Sequence, residues 1–224
     1  EWLRAVDLLR RLGRRTGNEH AITLTPSGDC LGGTRAGEPH VVNVGPEVVE
    51  RLDTAGEELA VCHTHPATPG EPPNELSAPD LLLLGRPGVR SLHMVSPYEP
   101  YGYSIAHRAL DIDTVAWRMV VARSRDFCVE AAVPAAADRY RRQLGQRRLD
   151  HQRVLVRMLD LTGLIYWERR FDGATAWLEQ RHGALFDDLA ETACERLVET
   201  LQADGVTWVD PRNPAVGHAG APVI

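Results

Sequence analysis

Residues 59–66, Leu-Ala-Val-Cys-His-Thr-His-Pro, and residues 77–84, Ser-Ala-Pro-Asp-Leu-Leu-Leu-Leu, decide how this chain is read. The first is a short apolar run ended by Pro66, as expected of a buried strand stopped where a backbone donor is missing. The second opens on Ser77, places Pro79 in its first turn and closes before Gly85, as expected of a capped helix. Strand, loop and helix in that order make an α/β unit. Period two puts the imidazoles of His63 and His65 on one strand face, the geometry that two ligands of one metal require. Asp80 can add an oxygen ligand from the helix. Two histidines and one carboxylate leave a fourth zinc position open for water, as catalytic sites do. Such a site needs a general base, and Glu19, at the start of an apolar strand, is the candidate.

Each piece has a plainer reading. A His-x-His on a strand is commonly a pair of packed or exposed histidines. Ser77-x-x-Asp80 before an apolar run is also a capping box, in which both side chains satisfy orphan backbone N–H groups. The capping and ligand roles are compatible, since one residue can hold the helix and face a metal.

Working outward, residues 1–110 alternate short apolar runs with Gly/Pro turns, whereas 111–205 carry apolar residues at three- and four-residue spacing. The first stretch predicts a helix from Trp2 to Arg15, with Leu3, Val6, Leu9 and Leu12 as its stripe. Strands are expected at Glu19 to Thr25, Cys30 to Arg35, His40 to Val44, Leu59 to His65, Leu92 to Ser96 and Tyr103 to His107. Pro46 opens a further helix through about Thr54. The second stretch predicts helices near 113–131, 134–161, 172–182 and 184–203, followed by a poorly ordered tail over 206–224. Its stripes, for instance Val154, Leu155, Met158, Leu159 and Leu161, are too apolar to stand free. They call for packing on the first stretch or for a homodimer.

The set Glu19…His63-Thr64-His65-Pro66…Ser77-Ala78-Pro79-Asp80 resembles the signature of the JAMM (JAB/MPN+) zinc metalloproteases: Glu, then His-x-His, then Ser-x-x-Asp. Glu19-His20 before one apolar strand and Ser91-Leu92-His93-Met94-Val95-Ser96-Pro97 after the motif also look like the family's neighbouring strands. The resemblance covers about residues 1–110. It implies an MPN/JAB-like mixed sheet flanked by helices, here with a mainly α-helical C-terminal extension. It also implies zinc on His63, His65 and Asp80, water activation by Glu19, and oxyanion stabilisation by Ser77. The implied substrate is a peptide or isopeptide bond at the C-terminus of a ubiquitin-like or sulfur-carrier protein. A small-metabolite amidohydrolase and a non-catalytic partner-binding module are the alternatives, and an intact set with an open metal position disfavours the module.

The sequence departs from a tidy match in two ways. Eleven residues separate His65 from Ser77, and this loop carries Pro66, Pro69, Pro72 and Pro73, which reads as a stiff rim on a substrate groove. Glu38, Glu57 and Glu58 also precede the motif and compete with Glu19 for the role of base. His40, His93 and His107 read as packed or exposed rather than as ligands, and Cys62, facing away from His63, as a small buried residue. The segment Arg139 to Arg153 carries six arginines and reads as a solvated helix face. Trp117, Trp167, Trp177 and Trp208 are expected to anchor the helical half.

Composition narrows the classes. The 224 residues, 43% hydrophobic and 25% charged, exclude disordered and fibrous chains. The longest apolar run, Leu81 to Leu84, is far too short to cross a bilayer. The net charge of −6 argues against bulk nucleic-acid binding. Four scattered cysteines without a CxxC pair point to a reduced, cytoplasmic setting. No basic-then-apolar leader opens the chain, and the missing initiator Met is expected of a trimmed or excised sequence. All 25 basic residues are arginine, where about a dozen lysines are usual at this length. A GC-rich genome accounts for that; a chain offering no ε-amine for conjugation is the functional alternative.

Overall fold

Short apolar runs such as 59–64 become buried strands, and three-to-four-spaced patterns such as 151–161 become helices. The computed structural model describes residues 2–39, 41–67, 69–99, 102–109, 113–128 and 151–203. Its order is α1 (Trp2–Thr16), β1 (His20–Leu24), β2 (Cys30–Ala36), α2 (Pro46–Leu52), β3 (Leu59–Thr64), α3 (Ala78–Leu83), β4 (Val89–Val95), β5 (Tyr103–Arg108), α4 (Thr114–Phe127), α5 (His151–Leu161), β6 (Ile165–Arg170) and α6 (Gly173–Ala203). The strands form one mixed sheet, β2-β1-β3-β4-β5-β6. Neighbours are antiparallel except β3 and β4, which run parallel at the centre. A parallel pair needs a crossover, and α3 supplies it. The carboxyl ends of β3 and β4 therefore lie side by side, the place where sheets of this kind hold ligands.

Side-chain alternation divides the core between two faces. Ile22, Leu24, Cys62 and Val95 pack against Val6 and Leu9 of α1. Leu59, Val61, Leu92 and Met94 face the other way into a larger cluster with Leu52, Leu81, Trp117, Leu155, Leu159, Phe186 and Leu197. His63, two residues from Val61, shares that larger face. The same alternation confirms Cys62 as a buried core residue on the opposite side, where burial, with Cys30 nearby, pushes its thiol up to about 12.

The helix that carries Asp80 is fixed from behind by α4. The Trp117 indole Nε1–H donates to the Leu81 carbonyl at 2.8 Å, and the Thr114 hydroxyl donates to the Gly85 carbonyl at 2.6 Å. Gly85 permits this approach, because a Cβ there would sit 2.3 Å from the Trp117 ring.

Several expectations need correction. Among the described residues, 41–44 form no strand: Val41 makes a single bridge to Glu38 and is exposed. The apolar pattern is there, but no neighbouring strand offers it a ladder. Ile165–Arg170 is a strand in the stretch expected to be helical; it extends the sheet along β5. It buries only Ile165 fully, so its composition reads as polar. The two helices expected at 172–182 and 184–203 are one, α6, which runs through Gly183. A glycine inside a helix costs only about 1 kcal/mol, too little to break one held by packing.

Residues 1–110 and 111–205, which patterning separates, share one sheet and one core. Val154, Leu155, Met158 and Leu159 are fully buried in that core. Trp117 anchors it as expected, Trp167 is partly buried on β6, and Trp177 is 45% exposed. Position 40, residues 129–131 of the helix expected near 113–131, residues 134–150 of the helix expected near 134–161, Trp208 and the tail at 206–224 lie outside the described residues. Among the described residues, no helix is long and apolar enough to cross a membrane.

Candidate metal centre

The end of β3 and the start of α3 bring His63, His65 and Asp80 together. One donor atom from each lies within 4.8 Å of the others. His63 Nε2 and His65 Nε2 are 2.9 Å apart; Asp80 Oδ1 is 3.2 Å from the first and Asp80 Oδ2 3.3 Å from the second. Nitrogen and oxygen ligands about 2.0–2.1 Å from a tetrahedral ion lie about 3.3 Å from one another, so this spacing fits a shared metal. It is the only such group of three or more histidine, cysteine or carboxylate ligands among the described residues. The His63-His65-Asp80 set can therefore hold a metal ion.

Local structure explains the convergence. Ser77 caps α3 in extended conformation: its Oγ accepts from the Asp80 N–H at 3.3 Å, and its N–H donates to Asp80 Oδ2 at 2.7 Å. The Ser77 hydroxyl donates to the same oxygen at 2.6 Å. The capping box thus clamps the carboxylate that faces the histidines. On the other side, His65 Nδ1 lies 2.9 Å from the Asn74 carbonyl, an acceptor. That contact places the proton on Nδ1 and leaves the Nε2 lone pair turned toward His63 and Asp80, as a metal ligand requires.

The electrostatics match an anion among imidazoles. Burial alone raises the Asp80 carboxyl, but the charges and hydrogen bonds of His63 and His65 outweigh it and hold the group well below the usual carboxylate range. Burial alone lowers His65, yet the Asp80 hydrogen bond and charge, the Asn74 carbonyl and the Glu19 charge raise it to about 9. A metal ion held here would take the place of that proton.

Glu19 sits immediately before β1 and is 9% exposed. Ala21 pairs with His63 in the β1–β3 ladder. Continued by two residues, that register sets Glu19 opposite His65 on the same face. Its backbone is fixed between Glu38 and Gly37: the Glu19 N–H donates to the Glu38 carbonyl at 3.0 Å, and the Gly37 N–H donates to the Glu19 carbonyl at 2.9 Å.

The competing acids lie elsewhere. Glu38 is exposed, Glu57 is bound by Arg51, and Glu58 is bound by Arg90. Glu57 and Glu58 precede β3 at its amino end, about 20 and 16 Å from His63 along an extended chain. His93 and His107 are outside the metal group. His93 Nδ1 accepts from the Trp2 indole at 3.0 Å, and its Nε2 lies 2.8 Å from the Ser91 hydroxyl.

Sequence reasoning missed what lies behind His65. Asn74 acts through its backbone carbonyl, a group that every residue carries and no motif marks. Arg153, expected on a solvated face, is fully buried instead, and donates from Nη2 to the Pro73 carbonyl at 2.7 Å. The only hint was its place in α5, a helix whose run from Arg153 to Leu159 is buried without interruption. No protein-family model matches the chain, and no curated protein or solved structure does either.

Proposed function

We propose that the chain is a zinc-dependent amide hydrolase of the JAMM (JAB/MPN+) type, acting at the C-terminus of a ubiquitin-like or sulfur-carrier protein. The observation that carries this reading is the meeting of His63, His65 and Asp80 at the carboxyl end of the parallel strand pair, and the Glu19 charge acting on His65 supports it. The α/β sheet flanked by helices is compatible with an MPN-type domain.

His63 Nε2, His65 Nε2 and the Asp80 carboxylate would hold the zinc. A bound zinc lowers the pKa of its water and polarises a scissile carbonyl. The Glu19 carboxylate accepts the proton of the attacking water and returns it to the departing amine. Ser77 holds Asp80 in place through its N–H and hydroxyl. The same hydroxyl, which donates to Asp80 in this structure, would be the group to stabilise an oxyanion. The proline-rich loop beside this site supports an extended peptide as substrate, held by main-chain hydrogen bonds.

The test uses C-terminally extended or conjugated β-grasp carriers from the same genome, followed by intact mass. Trimming after the terminal Gly by wild type, and an about 10²–10⁴-fold loss in Glu19→Gln at unchanged zinc content, are the expected results. An active Glu19→Gln enzyme moves the role of base to another residue. Turnover of a small acyl-amide, with every carrier left intact, replaces the peptidase by a zinc amidohydrolase.

A further inference from the structure

His65 is oriented by a backbone carbonyl, and a carbonyl in a loop can fix a ring only if the loop is itself fixed. The Asn74 carbonyl belongs to the connection between β3 and α3, among the eleven residues that separate His65 from Ser77, and Asn74 is exposed. Its two neighbours are not. Pro73 is buried, and Glu75 is fully buried. Both meet one side chain from α5, eighty residues further along. Arg153 Nη2 donates to the Pro73 carbonyl at 2.7 Å, and its Nη1 lies 3.8 Å from Glu75 Oε2 and 3.3 Å from Glu179 Oε1. Glu75 Oε1 accepts the Leu76 N–H at 2.9 Å, which completes the hold on the chain leaving Asn74. A planar guanidinium reaches a carbonyl and two carboxylates at fixed angles, as an ammonium cannot.

Stability alone gives no reason for this arrangement. Arg153 and Glu75 have no solvent-exposed side-chain surface. Removing two charges from water is costly, and an apolar pair of similar volume packs at least as stably. What the ionic pair adds is a defined geometry for the residues on either side of Asn74.

We infer that Arg153 is a positioning residue of the metal centre: with Glu75 it fixes residues 73–75, so that the Asn74 carbonyl holds His65 in ligand orientation. The inference rests on the metal reading of His63, His65 and Asp80. Partners that orient a metal-bound histidine are typically worth about 10–100-fold in metal affinity. The α5–β6–α6 half of the chain is then part of the metal site as well as of the core.

The experiment compares the full chain with Arg153→Lys, with the double variant Arg153→Met/Glu75→Gln, and with Leu155→Ala. Zinc affinity is measured by competition with a chromophoric chelator, the visible spectrum of the cobalt(II)-loaded protein reports ligand geometry, and thermal unfolding reports stability. Arg153→Lys keeps a charge for Glu75 but loses the fork. The double variant leaves no buried ion unpaired between the two positions, which protects folding. Leu155→Ala opens a cavity in the same helix without touching the loop. The expected result is zinc affinity about 10–100-fold weaker and an altered cobalt spectrum in both Arg153 variants, with both properties unchanged in Leu155→Ala. Wild-type affinity and spectrum in the double variant, or equal losses in Leu155→Ala, would overturn the positioning role. If wild type itself binds no zinc, the site reading falls and this inference falls with it.

Discussion

Ser77 and Asp80 serve the helix and the metal together, and substitution separates the two roles. Asp80 Oδ2 accepts from the Ser77 N–H at 2.7 Å and from its hydroxyl at 2.6 Å, while the two carboxylate oxygens lie 3.2 and 3.3 Å from the histidine nitrogens. Ser77→Ala removes the cap and leaves all three ligands. Losing such a cap costs about 1 kcal/mol, which lowers Tm by about 2–4 °C in a chain of this size. Zinc at about 100 times its Kd adds about 2.7 kcal/mol, a rise of about 5–11 °C. Ser77→Ala should therefore shift the metal-free transition down and narrow the zinc interval only in part, because the Ser77 N–H still holds Asp80 Oδ2. Asp80→Ala should drop the metal-free Tm by a similar few degrees and lose most of the zinc interval. The double variant should match Asp80→Ala rather than the sum of the two losses, because both residues belong to one capping box. Differential scanning with and without zinc reads all of this. An Asp80→Ala protein that keeps the full zinc interval would refute the ligand assignment, and a Ser77→Ala protein that loses it entirely would refute the separation of roles.

Further outcomes follow from burial and charge. Burial, with help from His107 and His63, lowers His93 to about 3, so the folded state resists its protonation. Its contribution is complete above about pH 6.5 and falls by about 1.4 kcal/mol per unit as pH drops toward 3. His65, raised to about 9 without metal, works the other way: its contribution is complete below about pH 6.5 and is lost as pH rises through 9. Urea unfolding of the metal-free protein should show a maximum near pH 6.5, with His93→Gln flattening the acid limb and Asp80→Asn the alkaline one; a flat profile would contradict both shifts. Native iodoacetamide should modify exposed Cys30 and spare Cys62, whose thiol stands near 12, and mass mapping that finds Cys62 labelled first would contradict its burial. A fragment ending at residue 110 lacks β6, α5 and α6 and uncovers the Leu92, Met94 and Ala106 side of the sheet, so it should aggregate; a monomeric, folded fragment would show the core divides where the sequence pattern does.

The candidate site was legible because its signals are local. Period two places His63 with His65, and a three-residue box places Asp80 beside Ser77, so neither needs knowledge of the distant chain. Glu19 was legible less directly, through its place before a strand, and the β1–β3 register supplied what spacing could not. The remainder depended on partners far away in sequence. Arg153 looks like one more solvent arginine until Glu75 and Pro73 are brought to it from eighty residues upstream. Ile165–Arg170 looks polar because an edge strand buries one side, and the β5 ladder alone turns it into sheet. Val41-Val42 had the right composition for a strand, but among the described residues Val41 makes one isolated bridge, to Glu38, and no ladder follows.

The central claim is that His63, His65 and Asp80 hold one zinc ion, and anomalous diffraction at the zinc edge from crystals of the purified protein tests it most directly. A single strong peak per chain is expected, about 2.0–2.2 Å from His63 Nε2, His65 Nε2 and an Asp80 oxygen. A zinc peak on other residues, or an edge belonging to iron in a His₂-carboxylate site, would contradict it.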